Sequence, residues 1–313
     1  MILPDAPRPG RKRNLMLAAG LALLVGVVAL VWQVADASWP RPTGAGSPTS
    51  PAGMTDDAST LTVSSGPSAS ASAEATIPSR TPTQTPSTAR TSTAPQVHRS
   101  CSNPVFVTSD RNGGWATRGY YVHNNMWNSS VPLGPETLYA CAFNNWYVVS
   151  NQTNNAGAVK TYPNVHKDYN NVPISSFNSI TSTFAASAPR TGIYNIAYDI
   201  WTNGIATSGS TEIMIWTDNY QQVPAGSRAH TVTLGGRTYD VWKTSDNHYI
   251  AFVPKAVMTS GSVNLLEILR WTIAQGWLAA SSTLGQICYG VEIVSTNGKN
   301  ETFSFTDFSI NNS

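Results

Sequence analysis

Charge is scarce in this chain. Only 12% of its 313 residues are Asp, Glu, Lys or Arg, and the net charge is +2. No basic or acidic footprint is present, so nucleic acid is not expected as a partner. Cysteine is scarcer still: Cys101, Cys141 and Cys288. An exported protein can pair two of these and leave one thiol over. No C-x-x-C pair or His/Cys cluster suggests a metal, and no cofactor is expected. The five histidines (His98, His123, His166, His230 and His248) are scattered. No G-x-S-x-G elbow occurs, so a Ser–His triad has no support. No repeat of 20–50 residues is visible. What the chain does have is aromatics, 10% of residues with 10 Trp. Trp-rich, charge-poor composition suits carbohydrate binding, and it equally suits the core of a large β-sandwich.

Composition divides the chain in three. Residues 1–37 carry Arg8, Arg11, Lys12 and Arg13 ahead of an uncharged apolar run from Leu15 to Trp32. That is a signal peptide with an A-x-A site at Ala35-Asp36-Ala37, or an uncleaved N-terminal membrane anchor. Either way the rest is expected outside the cell, secreted or tethered to the outer face of the membrane. Residues 38–97 are rich in Ser, Thr, Pro and Ala and cannot bury enough apolar area to offset their ordering entropy. They read as a disordered linker. Residues 98–313 form one domain, expected to be monomeric.

That domain reads as short alternating strands. In Ile193 to Trp201, Tyr194, Ile196, Tyr198 and Ile200 make one face; Asn195, Ala197, Asp199 and Trp201 make the other. Tyr239 to Lys243, Tyr249 to Val253 and Thr302 to Ile310 are further strands. Gly235-Gly236 and Asn297-Gly298 read as hairpin turns. Ser262 to Gln275 departs from this pattern, with Leu265, Leu266, Leu269 and Ile273 at helical spacing and Gly276 as a stop. The fold class is therefore all-β with one amphipathic helix.

The most informative stretch is Thr211-Glu212-Ile213-Met214-Ile215-Trp216. Ile213 and Ile215 point one way; Glu212, Met214 and Trp216 point the other. A solvated face rarely carries Met and Trp together, and a buried face rarely carries an unpaired Glu. The floor of a sugar-binding groove accommodates all three. Glycoside hydrolysis needs two carboxyl groups flanking one bond, one charged and one protonated. In Cys288 to Val294, Tyr289, Val291 and Ile293 face the core, while Gly290 and Glu292 face away. Gly290 reads as open space for a sugar ring beside Glu292. The alternative for Glu292 is a strand carboxylate facing water. Asp199 is a second acid able to orient a nucleophile, or a strand-end Asp bonded to water. Glu267 reads as a solvated or cap-supporting helix charge, Glu136 as a loop residue after Gly134-Pro135, and Glu301 as a residue just past a turn. From Tyr120, alternation puts His123, Asn125 and Trp127 on one face, a sugar subsite or sandwich core. Trp115, Trp146 and Trp201 are weaker candidates of the same kind.

These elements resemble glycoside hydrolase family 12, the compact β-jelly-roll endoglucanases and xyloglucanases. The matching signs, in family order, are Asn124-Asn125-Met126-Trp127, Lys160-Thr161-Tyr162-Pro163-Asn164, Ala197-Tyr198-Asp199-Ile200-Trp201, Glu212-Ile213-Met214-Ile215-Trp216, the helix before Gly276, and Tyr289-Gly290-Val291-Glu292. The resemblance implies a sandwich of two curved antiparallel sheets with a concave substrate cleft. It implies Glu212 as nucleophile, Glu292 as general acid/base and Asp199 as the acid holding the nucleophile. It implies that Asn125, Trp127, Met214, Trp216 and Trp201 line subsites, and that Cys101 pairs with Cys141. Two departures stand out: Asn128 replaces a frequent Gly at a subsite edge, and Ile293-Val294-Ser295-Thr296 after Glu292 does not match. Cys288 is left as a buried thiol.

The expected activity is a retaining endo-β-1,4-glucanase acting on a β-glucan: cellulose-type, mixed-linkage or xyloglucan. The alternatives are a non-catalytic glucan-binding jelly roll, against which the acid pair argues, and a xylanase on a related fold.

Overall fold

In a computed structural model, residues 100–154 and 157–313 are described. The expected export segment and linker lie outside the described residues. Among the described residues, fifteen strands form two sheets. The six-stranded sheet runs β1 (Phe106–Thr108), β4 (Glu136–Ala142), β5 (Asn145–Ser150), β15 (Glu301–Asn312), β7 (Ile180–Ser187), β13 (Ser260–Asn264). The nine-stranded sheet runs β10 (Ser227–Leu234), β11 (Arg237–Lys243), β12 (Tyr249–Pro254), β9 (Thr211–Tyr220), β8 (Ile193–Thr202), β14 (Thr283–Ser295), β6 (Asn164–Pro173), β3 (Tyr120–His123), β2 (Gly114–Thr117). Pairing is antiparallel except between β9 and β12, which run parallel from Tyr249↔Glu212 to Phe252↔Ile215. The larger sheet is therefore mixed rather than purely antiparallel.

The core lies between the sheets, and alternation puts it there. Tyr194, Ile196, Tyr198 and Ile200 of β8, Ile213 and Ile215 of β9, and Ile287, Tyr289, Val291 and Ile293 of β14 all enter it. From the other sheet come Leu138, Ala140, Trp146, Val148, Phe184, Phe303, Phe305 and Phe308. Trp146 is 1% exposed and stacks on Phe305, centroids 4.0 Å apart, so this candidate sugar platform is core. Buried phenols keep polar partners: Tyr198 donates to Ser182 Oγ at 2.8 Å, and the Tyr289 hydroxyl lies 3.1 Å from Thr217 Oγ1. This leaves apolar area buried without stranded hydroxyls.

The helix α1 (Leu265–Ala274) is shorter than the leucine spacing predicts. Residues 262–264 extend β13 against β7 instead, and the Asn264 side chain caps the helix by accepting from Glu267 N at 3.1 Å. Glu267 Oε1 in turn accepts from Gly235 N, tying the helix to the β10–β11 turn. Gly235-Gly236 holds positive φ between paired β10 and β11, as a two-residue hairpin requires. Asn297-Gly298 also holds positive φ but links β14 to β15 in the other sheet, so the hairpin expected there is a crossover between sheets instead. Register shifts between Ile196 and Ala197, Leu284 and Gln286, and Ile293 and Ser295 fall on the central strands, where bulges add local twist.

Two sequence expectations fail here. Glu136 is the first residue of β4 and 2% exposed, not a loop residue. The strand from Tyr120 stops at His123, so Asn125 and Trp127 lie beyond it.

Candidate active site

Three neighbouring strands of the larger sheet carry the acids. Cross-strand register places Glu212 between Trp201 on β8 and Tyr249 on β12. Asp199 sits between Met214 on β9 and Cys288 on β14. Glu292 faces Asn195. All of these side chains stand on the face opposite the core, as period-2 alternation dictates.

Each acid is pushed above its ordinary pKa, with burial as the first cause. Glu292 rises to about 7, restrained by a hydrogen bond from Asn195 Nδ2 to its Oε2 at 2.5 Å. Asp199 rises well above its usual range through burial and the charge of Glu292, against a bond from Trp201 Nε1 to its Oδ2 at 3.1 Å. Glu212 also rises well above its range, through burial and the charges of Asp199 and Glu292. The carboxyls thus act on one another and titrate as a set. A set that releases one proton and withholds the rest supplies both a charged nucleophile and a protonated acid. Asp199 does not hydrogen-bond Glu212, since Asp199 Oδ1 is buried without a partner. Its influence on Glu212 is through charge, and it raises rather than lowers the Glu212 pKa. The acids also hold the protons on three neighbours, Tyr162, Tyr249 and Cys288, all pushed well up by burial and then by this negative charge. Tyr162 donates to Ala197 O at 3.0 Å.

Beyond the acids the same face continues onto β6 and β3. His166 lies between Cys288 and Tyr121, and His123 pairs with Asn164. Burial drives His123 down to about 3 and His166 to about 4, so both rings are neutral. His166 Nδ1 lies 2.9 Å from Asn164 Oδ1.

Past β3 the chain keeps its alternation without a ladder. Asn124 N, Met126 N and Asn128 N donate to Gly113, Arg111 and Lys160 carbonyls. Those three residues are buried; Asn125 is half-buried with φ +40°, and Trp127 is 39% exposed. Trp127 is therefore not core. Asn128 is 6% exposed, donates to Val159 O at 2.7 Å and accepts from Ser130 N at 2.9 Å. These bonds tie the chain after Trp127 to Val159.

Three expectations need correction or detail. Gly290 does not leave space for a ring: a Cβ there would overlap the Pro163 carbonyl oxygen and lie 2.6 Å from Asn164 Cβ. Backbone of residues 163–164 fills that position. Met214 and Trp216 are each 1% exposed, packed with Ala197 and Ala251 beneath Trp242, Tyr249 and Val253. They pack beneath the outer face of the sheet, and the indole and sulfur present almost no surface. Trp201 is half-buried and spends its indole N–H on Asp199. Sequence reasoning missed Asn195, Tyr249 and Trp242. The alternation of β8, β11 and β12 marks their face, but only the strand order shows that it adjoins Glu212. Cys101 and Cys141 form the disulfide, and Cys288 is a free buried thiol.

Comparison with known proteins bears on this geometry. The sequence pattern of Glycosyl hydrolase family 12 matches residues 118–312. The chain is 29% identical over 212 residues to "Endoglucanase S" of Pectobacterium parmentieri, covering 58% of this chain and 78% of that protein. It is 26% identical over 214 residues to "Xyloglucan-specific endo-beta-1,4-glucanase A" of Emericella nidulans, covering 63% and 89%. Among solved structures, the xyloglucanase domain of NopAA, a type three effector from Sinorhizobium fredii in complex with cellobiose, superposes with a TM-score of 0.59 at 28% identity. That match covers 67% of this chain and all of the other. With three acids on adjacent strands of one sheet face, the jelly-roll fold and a family pattern spanning most of the described domain, the chain belongs to glycosyl hydrolase family 12 and is a glycoside hydrolase of the cellulase type.

Proposed function

We propose that the chain is an exported endo-β-1,4-glucanase that cleaves internal bonds of a β-glucan with retention of configuration. The observation that carries this is the set of three raised carboxyls on adjacent strands, on one face of the sheet. Glu212 attacks the anomeric carbon as the charged member of the set, and Glu292 delivers a proton to the leaving oxygen. In the substrate-free protein Glu292, raised to about 7, ionises ahead of Glu212, whose own pKa is raised by burial and by the Asp199 and Glu292 charges. Substrate binding therefore has to shift the proton from Glu212 onto Glu292. Water then cleaves the glycosyl–Glu212 ester with Glu292 as base. Double displacement requires the two carboxyls about 5–5.5 Å apart at reaction. Asp199, anchored by Trp201, sets the charge felt by Glu212. Asn125 and Trp127 bind glucose units by amide hydrogen bonds and indole stacking. Met214 and Trp216 shape the floor from underneath. The Cys101–Cys141 bond fits an oxidising compartment.

The test is reducing-end release by the full chain on carboxymethylcellulose, mixed-linkage β-glucan, xyloglucan and xylan. Proton NMR of the first product formed gives the stereochemistry. Glucan cleavage with initial β-product supports the reading; initial α-product overturns retention. Binding without turnover would replace it with a glucan-binding module, and preference for xylan with a xylanase.

A further inference from the structure

Glu136 is a buried acid that this chemistry leaves unused. It heads β4, in the sheet opposite Glu212 and Glu292, and is 2% exposed. Its Oε1 lies 2.5 Å from Thr161 Oγ1. The same hydroxyl lies 3.2 Å from the carbonyl oxygen of Asn125 and 3.4 Å from that of Asn124. A threonine hydroxyl has one proton to give, and here three acceptors face it. The acid form of Glu136 resolves the conflict. Its own O–H donates to Thr161 Oγ1, which frees the Thr161 proton for Asn125. Among the described residues no cation forms an ion pair with Glu136. Neighbouring Lys160 turns its ammonium to the Thr153 carbonyl instead. Burial raises Glu136 to about 7 against hydrogen bonds with Thr161 and Ser150 that favour the charged form, so the neutral acid predominates below that pH.

Thr161 occupies a junction. Its carbonyl accepts from Ile293 N at 3.0 Å, one residue past Glu292, and the next residue, Tyr162, donates its N–H to the Asn125 carbonyl at 2.9 Å. Asn125 holds φ +40°, a left-handed state that costs a non-glycine residue energy unless its surroundings enforce it. The hydroxyl of Thr161 and the amide of Tyr162 meet on the carbonyl of this strained residue.

We propose that Glu136, as a neutral acid, is a positioning residue for the glucan-binding loop: through Thr161 it holds Asn125 left-handed and so directs Asn125 and Trp127 to the groove. This rests on the reading above that the loop binds glucan. In the full chain, Glu136→Leu removes the donor and raises KM roughly five- to tenfold, the weight of one buried hydrogen bond, with kcat within about twofold. Glu136→Gln keeps a donor toward Thr161 and restores KM. Thr161→Val, which breaks the same chain of bonds at its next link, reproduces the KM effect should the leucine variant fold poorly. Amide hydrogen exchange across residues 125–128 reads the loop without any substrate and should quicken in the leucine and valine variants. Unchanged KM and exchange in both variants would overturn the proposal, as would a glutamine variant no better than leucine. Quickened exchange in a protein whose parent cleaves no glucan would uphold the Glu136 link and remove the glucan reading instead.

Discussion

One face of the nine-stranded sheet holds two unlike halves. On β9, β8 and β14 stand carboxyls; on β6 and β3 stand imidazoles. Burial moves the first set up and the second set down, so both are driven toward neutrality. The difference lies in how the groups ionise. The carboxyl half keeps unpartnered buried atoms, Asp199 Oδ1 and Asn195 Oδ1, and three acids that resist simultaneous ionisation. The imidazole half is tied down, His166 to Asn164, and leads to the exposed Trp127. On the imidazole side the buried atom left without a partner is Asn124 Oδ1, next to Asn125, so incomplete hydrogen bonding marks both halves and the acids differ by resisting joint ionisation.

Substitutions can break that division. The largest effect is expected from Glu212→Gln: kcat on glucan falls by at least about a thousandfold, with circular dichroism unchanged. Because this removes an acid that burial opposes charging, its melting temperature should equal or exceed that of the parent at pH 7. Glu292→Gln should cost roughly a hundred- to ten-thousandfold on glucan, and far less on an aryl cellobioside whose leaving group needs no proton. Equal losses on both substrates would refute the acid role. On the binding side, Trp127→Ala should raise KM about tenfold with little change in kcat, measured on soluble glucan.

The two halves should also oppose each other in pH-dependent stability. The stabilising share of Glu292 is complete below about pH 4.5 and is lost as pH rises through about 7, because the native state holds its proton longer than the unfolded chain. For His123 and His166 it is complete above about pH 6.5 and is lost as pH falls through about 4 and about 3. Thermal melts should therefore peak between these limits. Glu292→Gln should flatten the alkaline side and leave the acid side alone. The smallest effect expected is that of Asn195→Ala. Losing the donor to Glu292 raises that acid further, so the basic limb of the kcat profile moves up by less than about one pH unit.

Much of this was legible in the sequence. Faces of β8, β9 and β14 follow from alternation, since a strand with one apolar face has only one register that buries it. Glu212, Asp199 and Glu292 were placed on the right face for that reason. Strand order was not legible, and it decides who stands beside Glu212. The parallel pairing of β12 with β9 brings Tyr249 there and covers Met214 and Trp216, yet no local pattern announces a parallel neighbour. Glu136 was misread because Gly134-Pro135 resembles a break, and a buried acid at a strand's first position has no periodicity to reveal it. Gly290 was misread because absence of a side chain looks the same whether a ligand or a backbone takes the space.

The disulfide between Cys101 and Cys141 bears on where the fold can persist. The two cysteines lie 40 residues apart, and the loop they close contains β1, β2, β3, Asn125 and Trp127. Closing a loop of that length removes chain entropy on the order of 4 kcal/mol from the unfolded state. That restraint acts on the unfolded chain, and the acid-bearing strands lie outside the loop. Without oxidation the domain gives up that stabilisation as a whole, since β3 inside the loop is paired to β6 of the acid-bearing sheet, and the fold is at its most stable only where thiols are oxidised.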